Sequence, residues 1–539
     1  MKKILITIAM LSLISCAEKT KTVNVVPRPS EVILENGSFK LSGNSFFISQ
    51  DLPSECGGYI EQFMGQLSDA SRDKSELSDK GKIRFLFDQT IPEESYRIET
   101  NRKNLTVSAS DFNGIIYAVQ TIKQMLPVSI YTGKSEVSDV WTIPCGIIND
   151  SPRYHYRGLM LDCSRHFYSI KQVKKLIDVM EIHKLNTLHW HLTDDQGWRI
   201  EIKKYPELTK VGAFRDGTCI GKDFDSDDQI RYGGFYTQEE LKEIVSYAAG
   251  KGITVIPEID LPGHMQAALS SYPELGCTGG PYKVWKRWGI SNDVLCIGKE
   301  STFTFLENVF SEICDIFPSE YIHIGGDECP VERWKTCPNC QAKIASLGIE
   351  ADDKYCAEHY LQNYTTERVS KFLESKGRKI IGWDEILEGK IADGATIMSW
   401  RGSEGGVNAA LAGHDAIMTP NSHFYLDHYQ SDDVDNEPLA IGGYSPVEKV
   451  YEYNVDIAPE FEKHILGVQA NMWTEYITSD AHLEYMILPR LAALSEVQWC
   501  NLENKDWNRF RDDMNHIRAI YDNLGYNYAK HMFETGEID

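Results

Sequence analysis

Hydrophobic and polar residues follow two different rhythms along this chain. Between residues 31 and 150, short segments of alternating apolar and polar side chains predict β-strands. These predicted strands are 46–48, 83–87, 96–98 and 105–107. Two longer stretches, at about 57–72 and 112–126, carry apolar residues at helical spacing. Residues 31–150 are therefore predicted to form a small α+β domain.

From about residue 151 apolar strands alternate with amphipathic helices. The predicted strands are 158–163, 187–192, 254–259, 321–324, 379–383, 396–400, 416–419 and 465–470. The predicted helices are 170–183, 237–251, 302–313, 354–376, 405–413 and 486–499. Eight strands in alternation with helices predict an α/β fold, a (β/α)₈ TIM barrel over residues 151–505. Residues 506–539 are expected to form a helical tail that packs on the barrel.

Polar and aromatic residues collect where the predicted barrel strands end, and this is where such barrels carry their chemistry. The residues singled out there are Arg165, Asp194, His264, Asp327, Glu328, Trp383, Trp400, Tyr425, Asp427, Trp473 and Glu475. Flat aromatic walls beside carboxylates and an arginine are what a sugar-binding pocket requires.

The fourth predicted strand ends in the most informative of these motifs. Gly325 and Gly326 remove side-chain bulk just before the adjacent acids Asp327 and Glu328. Two acids at such a point can be given different environments and different pKa values. A solvated acidic turn is the alternative, but polar residues at the other strand ends favour a site.

Metal and phosphate sites are weaker interpretations of the same residues. His189 and His191 point to the same side of a strand and could bind a metal with Asp194, as could Asp260 with His264. The carboxylates nevertheless outnumber what a site of three protein ligands needs. We expect neither a metal nor another cofactor in the reaction. The acids after Gly326 would also repel a phosphate group.

The 13 cysteines raise a separate question. Four of them, Cys329, Cys337, Cys340 and Cys356, lie in one loop-rich stretch, while Cys277 and Cys296 flank another. Four clustered cysteines could bind zinc, but Cys337 and Cys340 are the only close pair. Because the N-terminal residues, described next, predict export, disulfides are favoured over zinc, and their pairing is left open.

The N-terminal residues indicate export. Two lysines precede the apolar run 4–14, a pattern typical of a secretory signal that is too short to span a membrane as a mature helix. Residues 13–16 resemble the lipobox of bacterial lipoproteins, with Cys16 as the lipidated residue. An ordinary signal peptide is the alternative. We expect residues 1–16 to be a lipoprotein signal peptide, 17–30 a tether, and the mature protein to be lipid-anchored to a bacterial membrane, the outer one.

The chain has a formal net charge of −24, which argues against nucleic acid as a partner because such binders need basic surface.

The segment His-Ile-Gly-Gly-Asp-Glu at 323–328 is similar to the signature of family-20 glycoside hydrolases, the β-N-acetylhexosaminidases. The resemblance covers about 150–500, and residues 31–150 resemble the small domain that precedes the barrel in this family. The further matching residues are Arg157, Gly158, Ser164, Arg165, His166, His189, Trp190, His191, Asp194, Asp195, Asp260, Pro262, Gly263, His264, Trp383, Trp400, Tyr425, Asp427, Trp473 and Glu475.

The resemblance implies an exo-acting enzyme that removes terminal β-linked GlcNAc or GalNAc from glycans. In the mechanism of the family, the substrate's own acetamido oxygen attacks C1 and forms an oxazolinium ion, so that configuration is retained. Glu328 would be the general acid and later the base, with Asp194 and His264 as a relay behind it. Asp327 would orient and polarise the acetamide N–H.

The resemblance also implies roles for the substrate-binding residues. Arg165, helped by Glu475, would bind the 3- and 4-hydroxyls of the sugar. The ring and the acetamido group would be walled by Trp383, Trp400 and Trp473. Tyr425 would donate to the acetamide oxygen, and Asp427 would bind the 6-hydroxyl.

Two other functions on the same scaffold are weighed. One is release of a disaccharide, as the lacto-N-biosidases of this family perform. The other is glycan capture without hydrolysis by a lipoprotein, against which Asp327, Glu328 and Tyr425 argue. The oligomeric state is left open.

Overall fold

The computed structural model describes residues 23–41, 43–134 and 141–534. The predicted signal peptide, Cys16 and the first part of the predicted tether lie outside these ranges. Among the described residues, no helix combines the length and the apolar character that crossing a bilayer demands.

The N-terminal domain is a six-stranded sheet with two helices packed against it. In spatial order the strands are Glu31–Lys40, Thr142–Asp150, Tyr96–Thr100, Leu105–Ala109, Ile83–Phe87 and Phe46–Ile48. The helices are Ser54–Ser71 and Phe112–Gln124, followed by the 3₁₀ turn Val128–Tyr131. Buried apolar residues of the helices and the sheet form one core. The strands Glu31–Lys40 and Thr142–Asp150, which pair antiparallel, are absent from the sequence-based prediction.

The second domain is a closed barrel of eight parallel strands, which confirms the predicted (β/α)₈ fold. The strands are β1 Tyr156–Asp162, β2 Thr187–His191, β3 Thr254–Glu258, β4 Tyr321–His323, β5 Lys379–Trp383, β6 Thr396–Ser399, β7 Ala416–Met418 and β8 Ile465–Met472. Every predicted strand is present, with its ends within two residues of the prediction.

Helices surround the barrel in the expected alternation. They are Ile170–Ile182, Gln238–Ala249, Gln266–Ser271, Glu300–Ile316, Glu332–Thr336, Pro338–Leu347, Ala357–Ser375, Glu404–Leu411, Asn421–Phe424, Val447–Glu452, Asp480–Ile487 and Arg490–Trp499. The prediction of one helix over 486–499 is wrong. Two helices meet at Leu488 and Pro489, because proline lacks the N–H that would continue the first helix.

Short irregular elements fill the loops of the barrel. The paired short strands are Thr193–Asp194 with Gly197–Trp198, Phe214–Arg215 with Tyr232–Gly233, Cys219–Ile220 with Asp223–Asp227, and His428–Tyr429 with Gly442–Tyr444. The single turns are Leu208–Gly212, Pro273–Leu275, Asp384–Leu387, Val434–Asn436, Pro459–His464, Leu502–Asn504 and His531–Phe533.

The C-terminal helix Trp507–Leu524 lies on the barrel, where the sequence places a helical tail. Its apolar face, with Phe510, Met514 and Ile517, is fully buried in the barrel's outer core. The predicted tail ends at residue 539, and its last residues, 535–539, lie outside the described ranges.

Residues 23–30, predicted as the end of a tether, are packed into the fold. Val25 and Val26 are fully buried, and the Gln124 side chain pairs with both backbone polar groups of Val26 at 2.8 Å. The Arg28 amide donates to the Glu496 carboxylate at 2.9 Å. The tether prediction is therefore wrong for residues 23–30.

Buried ion pairs join the two domains. The guanidinium of Arg157, at the start of β1, lies 2.9 Å from the Glu94 carboxylate of the small domain. The Lys184 ammonium lies 2.9 Å from the Asp150 carboxylate, and both of these side chains have no solvent exposure. Trp499 also donates to Asp150 at 2.8 Å.

Candidate active site

The residues singled out in the sequence meet at one end of the barrel, where the C-terminal ends of its strands converge. Direct contacts connect Arg165 to Asp194, Asp194 to His264, and His264 to the pair Asp327 and Glu328. The aromatic residues form a second set beside these charges. The polar residues of the other strand ends border the same space.

The turn after β4 depends on its two glycines. Gly325 and Gly326 have φ angles of 65° and 99°, in the region that favours glycine. A Cβ on Gly325 would collide with the Asp260 carboxylate, which also accepts a hydrogen bond from the Gly326 amide at 3.2 Å. Glu328 follows with φ 49°, which is strained for a non-glycine residue. This tight turn brings two consecutive carboxylates to the strand end.

The two adjacent carboxylates differ in exposure. The Asp327 side chain is 13% exposed and the Glu328 side chain 39%. Burial raises the pKa of Asp327, and the negative charges of Glu258 and Glu328 add to that rise while His264 opposes it. The pair therefore offers one carboxylate inside the pocket and one toward solvent.

His264 lies between these acids and Asp194. Its Nδ1 is 3.1 Å from Oδ1 of Asp194, and the other Asp194 oxygen is 2.7 Å from Nη2 of Arg165. Burial alone would lower the pKa of His264, but the carboxylates of Asp194 and Asp327 raise it well above its usual range. Burial would raise the pKa of Asp194, but Arg165 and His264 hold it well below its usual range. We conclude that an imidazolium and a carboxylate face each other here.

Aromatic side chains form one wall of the site. Trp383 and Trp473 have ring centroids 5.8 Å apart, and Tyr425 lies 6.3 Å from Trp473. Tyr425 also stacks on Trp400 at 6.0 Å with an interplanar angle of 18°. Such rings present flat faces to the apolar C–H patches of a sugar.

Buried polar atoms without a partner lie around the same space. Within the described part of the chain, Oδ1 of Asp327, Oδ1 of Asp427 and Oε2 of Glu475 find no hydrogen-bond partner. Glu475 lies 3.9 Å from Nη1 of Arg165. An unpaired buried oxygen costs free energy, so these atoms are positioned for partners that a ligand would supply.

The sequence-based list lacks Glu258, which lies at the base of the site on β3. Its carboxylate is within 3.0 Å of ring nitrogens of His189, His191 and His323, and accepts a hydrogen bond from Trp383 at 2.9 Å. Burial would raise the pKa of Glu258, but the three histidines hold it well below its usual range. His189 and His191 therefore support a buried carboxylate. Their alternation on β2 was the available signal.

Glu385 is a second residue that the list lacks. Its carboxylate accepts a hydrogen bond from the Trp400 indole at 3.0 Å. Burial, and then the charge of Asp327, raises the pKa of Glu385 to about 8. Its position behind the aromatic wall therefore favours the protonated form of this acid.

Two protein-family models match the chain. Residues 154–502 match the model of the glycosyl hydrolase family 20 catalytic domain, and residues 22–151 match domain 2 of that family. The chain belongs to glycosyl hydrolase family 20. It is therefore a glycoside hydrolase, as the resemblance in its motifs implied.

Family 20 relatives extend over nearly the whole chain. A β-hexosaminidase of Porphyromonas gingivalis is 40% identical over 96% of this chain and 67% of its own length. A β-hexosaminidase of Vibrio furnissii is 35% identical over 89% of this chain and 77% of its own.

Solved structures of the family have the same fold. The exo-β-N-acetylglucosaminidase of Vibrio harveyi, in complex with N-acetylglucosamine, is 32% identical, with a TM-score of 0.81 over 94% of this chain and 78% of that one. A β-N-acetylhexosaminidase of Bacteroides fragilis is 32% identical, with a TM-score of 0.79 over 95% of this chain and 99% of that one.

Proposed function

We propose that this chain is an exo-acting β-N-acetylhexosaminidase that hydrolyses terminal β-linked GlcNAc or GalNAc. The observation that carries the proposal is the adjacent pair Asp327 and Glu328. The two side chains differ in their exposure to solvent, and both lie near the same histidine. Most retaining glycosidases place an acid and a nucleophile about 5–5.5 Å apart, on either side of the bond. Consecutive residues are poorly suited to such flanking positions, but they can serve a substrate that brings its own nucleophile.

In the first step the acetamido oxygen of the substrate attacks C1 and the glycosidic bond breaks. Glu328, the more exposed acid, gives its proton to the departing oxygen. Asp327, inside the pocket, accepts a hydrogen bond from the acetamide N–H and stabilises the positive charge that develops on the closing ring. Tyr425 donates to the acetamide oxygen and holds it in line with C1.

In the second step water attacks C1 of the oxazolinium ion. Glu328, now a carboxylate, takes a proton from that water, and the C1 bond to the acetamido oxygen breaks. Two displacements at C1 return the original configuration. His264 and Asp194 lie behind Glu328 as a charged pair. They adjust to the charge that Glu328 gains or loses with its proton.

The sugar ring is bound by the charges and rings around it. Arg165 and Glu475 bind the 3- and 4-hydroxyls, and Asp427 binds the 6-hydroxyl. The three tryptophans Trp383, Trp400 and Trp473 enclose the acetamido group and the ring. These contacts surround the hydroxyls of a single terminal sugar, which suits exo cleavage.

The test compares the 4-nitrophenyl β-glycosides of GlcNAc, GalNAc and glucose with the native protein and with Glu328→Gln. We expect cleavage of the two N-acetylated substrates, no cleavage of the glucoside, and loss of activity in the variant. Equal cleavage of the glucoside, which has no acetamide, would refute substrate assistance. Assays on a chitin tetramer would show single GlcNAc units as the first product, and release of disaccharides would contradict exo cleavage of one sugar.

We also propose that the protein is exported and lipid-anchored through Cys16, with its glycan substrates outside the cytoplasm. The support is the sequence of residues 1–16, with its basic start, short apolar run and lipobox-like end. Labelling with a palmitate analogue should mark the native protein and not Cys16→Ser. Equal labelling of both would refute the anchor.

A further inference from the structure

Four cysteines from two separate loops bring their sulfur atoms together. Cys277 and Cys296 lie in the segment after β3, and Cys337 and Cys340 lie at the start of the helix Pro338–Leu347 after β4. The Sγ atom of Cys296 is 3.6 Å from that of Cys337 and 3.7 Å from that of Cys340. The Sγ atom of Cys277 is 3.8 Å from that of Cys340. All four sulfurs lie within 4.8 Å of one another.

These separations fit one metal ion better than two disulfides. Zinc bound by thiolates at about 2.3 Å in a tetrahedron places neighbouring sulfurs about 3.8 Å apart. Disulfides would instead bring the sulfurs into two pairs at about 2.05 Å. Cys340 is almost equally close to Cys277 and Cys296, so no pairing is singled out. The cysteines of the described ranges are all free thiols, contrary to the expectation of disulfides.

We propose that Cys277, Cys296, Cys337 and Cys340 form a tetrahedral site that binds one zinc ion. Four protein sulfurs leave no open position for water or substrate, so the site is structural. It therefore does not alter the metal-free reaction proposed above. Of the cysteines grouped by sequence, Cys329 and Cys356 lie outside the site, and Cys356 instead contacts the His359 ring at 3.0 Å.

A helix N-terminus and a backbone amide lie beside two of the sulfurs. Cys337 is the N-cap of the ten-residue helix, and Cys340 lies in its first turn, where the helix dipole favours negative charge. The Gly298 amide donates to the Cys340 sulfur. A Cβ on Gly298 would collide with the backbone of Asn339, so glycine is what lets the two loops approach this closely.

The site connects the segments that carry the proposed catalytic acid and its histidine. The Leu295 amide, next to Cys296, donates to the carbonyl of Pro262, two residues before His264. The Trp334 indole, which follows Glu328 along the chain, donates to the carbonyl of Leu295 at 2.8 Å. A zinc ion here would fasten the loops after β3 and β4 to each other.

The experiment uses the full chain, purified from the exported fraction without chelator. We expect about one zinc per chain by elemental mass spectrometry, and X-ray absorption showing only sulfur ligands at about 2.3 Å. The double variant Cys337→Ser/Cys340→Ser should lose the zinc and melt at a lower temperature. The control Cys314→Ser, a half-buried cysteine outside the cluster, should keep the zinc.

Two results would overturn the proposal, and both come from the native protein, so they hold even if the double variant does not fold. One is a zinc-free chain whose intact mass is about 4 Da below that of the fully reduced chain, with these cysteines joined in two disulfides. The other is zinc bound through nitrogen and oxygen, which would place the ion on residues such as His264 and Glu328. The first result would leave the proposed glycosidase activity untouched, whereas the second would place a metal on its catalytic residues, and the glycoside assay with and without chelator distinguishes the two cases.

Discussion

Nε2 of His264 lies 3.7 Å from Oδ2 of Asp327 and 3.7 Å from Oε2 of Glu328. The same ring is bound by Asp194 at its other nitrogen, at 3.1 Å. One imidazolium is thus shared by the residue proposed to serve the acetamide and the residue proposed to serve the glycosidic bond. The two acids therefore have this histidine in common and differ in their exposure to solvent.

Replacing Asp194 by asparagine should change the pH profile of the reaction. Asp194 raises the pKa of His264, so its loss lowers that pKa and His264 gives up its charge at a lower pH. We expect the alkaline limb of kcat/KM to move to lower pH, with a loss of about 10-fold or more near neutrality. The measurement is kcat/KM against pH for an aryl GlcNAc substrate. An unmoved alkaline limb, as expected of the exposed control Asp480→Asn, would contradict the relay.

Replacing Asp327 by asparagine should lower kcat by about 100-fold or more, the scale of losing a preorganised electrostatic partner of the transition state. The pKa of Asp327 is raised, so the native enzyme should lose activity as the pH falls and this acid takes up its proton. The variant should lack that acid limb. Steady-state kinetics from pH 4 to 8 test both points, with Asp432→Asn as a surface control. A native kcat would refute the assigned role.

Replacing Asp427 by asparagine should weaken recognition of the sugar's 6-hydroxyl. Oδ1 of Asp427 is buried without a partner among the described residues, and a buried hydrogen bond left unmade costs about 1–3 kcal/mol. That corresponds to about 5- to 100-fold in kcat/KM. A 6-deoxy substrate supplies the matched control, because native and variant enzymes should cleave it at similar rates. An equal loss on both substrates would mean that Asp427 acts elsewhere.

Replacing Glu385 by glutamine should change how stability depends on pH. The pKa of Glu385 is raised to about 8 in the fold, whereas an unperturbed glutamate titrates near 4.3. Its stabilising contribution is therefore complete below about pH 4.3 and is lost as the pH rises to about 8. We expect the native Tm to fall more between pH 5 and pH 8.5 than that of Glu385→Gln. The Arg401 guanidinium lies 3.8 Å from the Glu385 carboxylate and 2.7 Å from that of Glu388. The control Glu388→Gln, which removes this second carboxylate, should keep the native pH dependence.

The sequence predicted the barrel well because each strand carries its own signal. The strands are short apolar runs between helical patterns, and their ends carry the polar residues of the site. The strands Glu31–Lys40 and Thr142–Asp150 were missed because a glycine interrupts each run, Gly37 at a bulge in their pairing and Gly146 opposite Leu34. Such a break hides the alternation by which a strand is recognised.

The residues that face the pocket were predicted from the sequence, but the buried residues behind them were not. Residues such as Arg165 and Trp383 stand at strand ends and could be found one strand at a time. Glu258 is defined by three histidines from two other strands, and its importance appears only when β2, β3 and β4 lie side by side. The cysteines show the same limit, because Cys277 and Cys340 are neighbours only after two loops have folded.

The buried pairs between the domains decide where the chain can be divided. A barrel expressed alone from residue 151 would keep Arg157 and Lys184 but would lose Glu94 and Asp150. Both cations would then lose their counter-charges, and the apolar surface that Trp499 and Cys500 bury against the small domain would be exposed to water. The family boundary near residue 151 is thus a boundary of sequence and not of folding. We therefore expect the smallest autonomous unit that keeps the sugar site to include the small domain, although none of the described residues of that domain lies in the site.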